Sequence, residues 1–337
     1  MTIVHAVGTK TITLRVGQLV EVRSADEIMA TLDENGELDS LPFMPEMLQY
    51  CGRRLRVGKV AHKLCDTMTR SGIRRMEDAV HLEDVRCDGG SHGGCQAACL
   101  IYWKTAWLRP VEATDAAPSA AAIEPNPTIM LRLTDVSQRP ADSDGAARYR
   151  CQATELLRAA PDVLPVRDLR QYVDDVRFGN VGVAWTIRAF LVGLFDRYQH
   201  HTRRRLPRWL LFRGGRSWGF LHGDADRTPT AFLNLQPGEL VRIKSKSEIA
   251  ETLNKDLLNR GMGFDAEMSR FCGRVATVAR RVDHILDEKT GRMIHMKNPC
   301  IVLEGIVCEG AFNASCPRSI PAYWREIWLE RVEEPTG

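Results

Sequence analysis

The two ends of the chain carry short stretches of alternating apolar and polar positions, and the middle carries a longer apolar spacing. Residues 17–23 (GQLVEVR) and 238–244 (GELVRIK) read as strands with one buried face. Each is followed by a capping-box pattern, Ser24 with Glu27 and Ser245 with Glu248, ahead of Ile28/Leu32 and Ile249/Leu253, which predicts one short helix per end. Strand-like runs return at 53–61 and 275–282, and again at 79–85 and 301–307. Both ends close on a Trp-x3-Trp-Leu segment, Trp103/Trp107 and Trp324/Trp328, expected to fill a core.

These matches are collinear. Residues 14–111 align with 235–332 at a constant offset of 221, with a small compensated shift near 66–80. FMPEMLQYCGR faces FDAEMSRFCGR, and the segment from VHLEDVRC faces that from IVLEGIVC. The reading is an internal duplication within an α+β chain. It gives a first β-rich Cys repeat at 1–113, a flexible linker at 114–146, a helical insert at 147–222 and a second β-rich Cys repeat at 223–337. The order of elements in each repeat resembles an SH3-like barrel, which implies two small, mainly-β domains. In the insert, 148–159 and 166–176 are predicted helices. Val181, Ala184, Trp185, Arg188, Leu191, Leu194 and Phe195 mark a third.

Composition adds exclusions. With 44% apolar and 26% charged residues in 337, the chain is an ordinary globular mixture. Its 46 basic and 43 acidic residues leave a charge of +3, so nucleic acid is not an expected partner. The longest apolar stretch, 181–195, is interrupted by Arg188, so no transmembrane segment is expected. The start has no basic region followed by an apolar one, so no signal peptide is expected. Ten cysteines then imply a reducing cytoplasm and thiols kept for ligation or catalysis.

Three cysteines match across the offset: Cys51 with Cys272, Cys87 with Cys308, and Cys95 with Cys316. The first repeat adds Cys65 and Cys99 where the second has Leu286 and Ile320; Cys300 and Cys151 have no counterpart. The expected ligand set is Cys51, Cys87, Cys95 and Cys99, gathered by the Gly-rich loop DGGSHGG, with His92 as a substitute donor. Cys272, Cys308 and Cys316 would form a related centre with an open position, expected to be the reactive one. No CxxC pair occurs, which favours an iron–sulfur cluster over zinc. Packing of cysteines as small core hydrophobes is the competing reading, and a redox thiol pair is a third.

Glu46 and Glu267 match five residues before the first shared cysteine and are candidate ligands or general bases. Lys104 and Arg325 match in charge and suit an anion, or a snorkelling role. Residues 197–216 interleave seven arginines, Arg203, Arg204, Arg205 and Arg208 among them, with aromatics, which suits a polyanion or peripheral membrane contact. No Walker loop, GxGxxG, HExxH or GxSxG is present. The expected function is a thiolate-ligated metalloprotein with an open metal site in one repeat, suited to redox or biosynthetic enzyme chemistry on a small-molecule substrate or to electron exchange with a redox partner protein. The alternative is a tandem-barrel binding scaffold that recognises a protein partner or a polyanion, with structural cysteines.

Overall fold

A computed structural model describes residues 13–112, 126–203 and 205–332, without the side chain of Arg208. The chain is a mixed helix and strand protein with several antiparallel sheets. Near the start, Leu19–Val22 lies between Arg54–Val60 and Leu108–Pro110. Ala79–Leu82 and Trp103–Lys104 complete a five-stranded half-barrel. Near the end, Leu240–Ile243 lies between Val275–Leu286 and Leu329–Arg331, and Met293–Leu303 adds a fourth strand.

Registers repeat at the sequence offset. Leu19 faces Arg56 as Leu240 faces Thr277, and Val20 faces Pro110 as Val241 faces Arg331. The isolated bridge Arg86–Leu100 recurs as Val307–Pro321. Both capping boxes form, at helices Ala25–Met29 and Lys246–Ala250. Trp103, Trp107, Trp324 and Trp328 are wholly buried. Trp107 Nε1 donates to Thr31 Oγ1 at 3.0 Å, and Trp328 Nε1 to Thr252 Oγ1 at 2.8 Å, so the second indole of each pair keeps a polar partner inside its core.

One stretch differs. In the second half Val275–Leu286 and Met293–Leu303 form one long hairpin. In the first half the same path breaks, and Lys63–Cys65 with Ile73–Arg75 takes a third strand, Val163–Leu164, from the insert. Asn180 then caps the break, accepting from Val60 N at 2.8 Å and donating to its carbonyl at 2.9 Å. The insert helices run Gln152–Ala159, Arg170–Phe178 and Val183–Thr202.

The linker reading needs correcting from residue 126 on; 113–125 lie outside the described residues. Pro127–Val136 is a helix, capped by the Asn126 side chain, with Leu133 in the first core and Ile129 and Met130 packed on it. The Ala- and Pro-rich composition concealed a start signal, a cap residue followed by proline at the first helical position.

The halves clasp each other reciprocally. Cys65 N donates to Cys316 Sγ at 3.0 Å, and Leu286 N donates to Cys95 Sγ at 3.2 Å. These are one contact seen twice, since 65/286 and 95/316 share the offset. Thr67 and Glu288, also related by it, touch each other through a 2.5 Å hydrogen bond. A residue meeting its own counterpart marks an approximate two-fold axis, as in an isologous dimer. Each hairpin therefore reaches into the other half.

Candidate metal centre

The Gly-rich loop that follows Val85 carries Cys87, His92 and Cys95. It is a series of turns rather than a helix. Gly89 has φ +75°, and a Cβ there would sit 2.1 Å from the Cys95 carbonyl oxygen. Its counterpart Gly310 has φ +72°, with a Cβ 2.5 Å from Cys316 N. Only glycine lets the loop fold this tightly onto its cysteine.

That fold turns Cys87 and His92 toward Glu46, which comes from the short helix Pro45–Tyr50. The Cys87 thiol donates to Glu46 Oε1 at 3.3 Å and lies 3.4 Å from His92 Nε2. His92 Nδ1 is 3.7 Å from Glu46 Oε1, and the Ser91 hydroxyl donates to Glu46 Oε2 at 2.5 Å. One donor atom from each of Glu46, Cys87 and His92 lies within 4.8 Å of the others, and among the described residues no other such group of three forms. The side chains of Glu46 and His92 are 5% and 2% exposed, so these polar groups face one another rather than water. Among the described residues no lysine or arginine pairs with Glu46.

Burial pushes the Cys87 thiol far above its ordinary range, and Glu46, Cys99 and Cys151 add to it. Burial also lowers His92, against the upward pull of Glu46 and Asp88, so the imidazole is neutral near pH 7. A neutral imidazole is the form that ligates a metal. A dication at this point would reverse the cause that keeps the proton on sulfur.

The cluster faces a narrow cavity, which Cys95, Cys99 and Cys151 also line. Leu286, Glu288 and Arg318 close it from the second half. Cys151 was not among the sequence candidates. It arrives through the insert, because Gln152 clamps the Tyr102 backbone, accepting from its N–H at 2.8 Å and donating to its carbonyl at 2.9 Å.

Cys51 is absent from that lining. It is buried in the first core, and burial pushes its thiol up to about 11. Cys95 and Cys99 reach the cavity but not the donor cluster. The proposed set Cys51, Cys87, Cys95 and Cys99 is thus not brought to one point.

The second half has a cavity at the corresponding place, lined by Glu267, Cys308 and Asn313 and closed by Cys65 and Thr67 of the first half. Here Glu267 is already engaged. It pairs with Arg270 at 2.8 Å and accepts from the N–H groups of Glu309 and Ala311. Cys272 lies against the second core, Cys308 lines the cavity and Cys316 is buried against Cys65, so these three thiols do not converge on one donor group.

Lys104 is buried and paired with Asp39 at 2.9 Å, so it offers no free anion site, and Arg325 donates to the Asn298 carbonyl at 2.6 Å. Arg203 and Arg205 are exposed at the end of Val183–Thr202, near exposed Trp209 and Phe212. Arg204 and the Arg208 side chain lie outside the described residues. No described helix is long and apolar enough to cross a membrane.

Comparison with protein-family models, with curated proteins and with solved structures finds no match to this chain.

Proposed function

We propose that the protein binds a zinc-class divalent cation in its first half, through Glu46, Cys87 and His92, with a fourth position open to the cavity. The observation that carries this reading is the meeting of a thiol, an imidazole and a carboxylate in a buried spot where, among the described residues, no lysine or arginine pairs with the carboxylate. A tetrahedral zinc centre has bonds of about 2.0–2.3 Å, which sets ligand-to-ligand edges of about 3.3–3.8 Å. The thiol's distances of 3.3 Å and 3.4 Å to its two neighbours fall in that range.

The mixed donor set reverses the preference drawn from cysteine spacing. Iron–sulfur clusters are held mainly by thiolates, whereas one sulfur, one nitrogen and one oxygen suit zinc with an exchangeable position. Such a position can hold water or polarise a small molecule. The apolar cavity walls fit a small-molecule ligand better than a macromolecule. The reciprocal contacts and repeated registers support descent of both halves from one duplicated barrel-like unit. Ten free cysteines fit the cytoplasmic setting we infer.

The test is metal content after equilibrium dialysis against zinc. One ion per chain is expected, and His92→Asn, which copies the second half, weakens affinity about 100-fold or more. Equal zinc binding in wild type and His92→Asn would overturn the reading.

A second reading, contact with an acidic membrane surface, is favoured by one observation. Ile187, Leu191 and Tyr198 are exposed along the helix that ends in Arg203. Cosedimentation with phosphatidylserine vesicles but not with neutral ones tests it.

A further inference from the structure

We propose that Cys65 and Cys316 are a redox pair that joins the two halves, closing to a disulfide when a hydroperoxide reaches Cys65 through the second half's cavity. The proposal is independent of the metal reading, since neither residue belongs to the Glu46–Cys87–His92 cluster.

The two residues come from opposite halves, 251 positions apart, yet Cys316 Sγ lies 3.0 Å from Cys65 N. They share one small cluster with Ile73, Leu164 and Tyr172. Arg318 donates to the Cys65 carbonyl at 3.0 Å and to Thr67 Oγ1 at 2.9 Å, which fixes the Cys65 backbone beside Cys316. Cys65 lines the cavity, whereas Cys316 is 3% exposed behind it. One thiol therefore meets an incoming oxidant and the other waits at its back.

The electrostatics divide the roles the same way. A hydrogen bond from Cys316 and the nearby Arg318 cation bring Cys65 down to about 7, against the cost of burial. Burial and the Cys65 charge hold Cys316 well above its ordinary value. The related contact in the other cavity has Leu286 in place of Cys65, so Cys95 gains no such partner there. Only one of the two symmetric positions carries a thiol pair.

The chemistry balances. The Cys65 thiolate attacks the peroxide oxygen. An S–O bond forms, the O–O bond breaks, and water or an alcohol leaves with a proton. The Cys316 sulfur then attacks the Cys65 sulfenic acid, the S–S bond forms, the S–O bond breaks, and water departs with the second thiol proton. Two thiols are oxidised and one peroxide is reduced.

The test treats the full chain with hydrogen peroxide, alkylates the remaining thiols and digests with trypsin and a Glu-specific protease. That digest separates Cys65 (residues 64–70), Cys308 (305–309) and Cys316 (310–318). The expected product joins peptide 64–70 to peptide 310–318 with loss of two hydrogens, disappears on reduction, is absent from Cys65→Ser and persists in Cys308→Ser. A Cys65–Cys308 link, links only between chains, or recovery of both Cys65 and Cys316 alkylated after peroxide would each overturn the proposal. The wild-type map is decisive even where a variant fails to fold.

Discussion

In the first half the Glu46 carboxylate meets a serine hydroxyl, a thiol and an imidazole. At the related place in the second half Glu267 meets Arg270 and two backbone N–H groups. The loops, the glycines and the cavities correspond, yet one carboxylate is neutralised by protein and the other is not. Substitutions across the offset decide this. Gln49 stands opposite Arg270, and His92 opposite Asn313. A shared backbone supplies the position, and a few side chains decide whether it holds an internal ion pair or a ligand set.

The scaffold itself should respond alike in both halves. Trp103→Ala and Trp324→Ala each remove a wholly buried indole and should each cost about 3–5 kcal/mol in urea unfolding. A large loss in one and a negligible loss in the other would break the structural equivalence.

Acid should separate the halves. His81 is buried in the first core, its Nδ1 2.9 Å from the Ile101 carbonyl, and the second half has Val302 there. Burial lowers His81 to about 4. Because the folded value lies below the unfolded one, its contribution is complete above about pH 6.5. As pH falls toward about 4 the unfolded state takes the proton first, and about 3 kcal/mol is lost. His81→Val should flatten that part of the stability profile; an unchanged slope would remove His81 from the comparison.

The ligand comparison can be run in reverse. Asn313→His alone leaves Glu267 bound to Arg270. Arg270→Gln with Asn313→His should raise zinc content from one ion per chain to two, a gain in affinity at that point of about 100-fold. The smallest effect concerns the caps. Ser24→Ala and Ser245→Ala should each cost about 1 kcal/mol by thermal unfolding, because both hydroxyls accept from the N–H three residues on.

Much of the scaffold was legible in the chain, because strand period, capping boxes and tryptophan pairs are local signals that recur in both halves. The site was only partly so. Cys87, His92 and Glu46 could be named, but Cys51 was grouped with them because spacing says nothing about which way a strand-entry residue faces. Cys151 was hidden because its place depends on Gln152 reaching the Tyr102 backbone, a tertiary contact. The crossing of the hairpins was hidden as well. Self-alignment assigns Cys65 to its own copy, whereas the fold delivers it to the other half's cavity. The Gln49/Arg270 difference was readable by setting the two halves side by side.

X-ray absorption at the zinc edge of the zinc-loaded protein tests the central claim most directly. One sulfur at about 2.3 Å with nitrogen and oxygen ligands at about 2.0–2.2 Å is the expected shell. A shell of two or more sulfurs, or one that is unchanged in His92→Asn, would contradict a centre built from Glu46, Cys87 and His92.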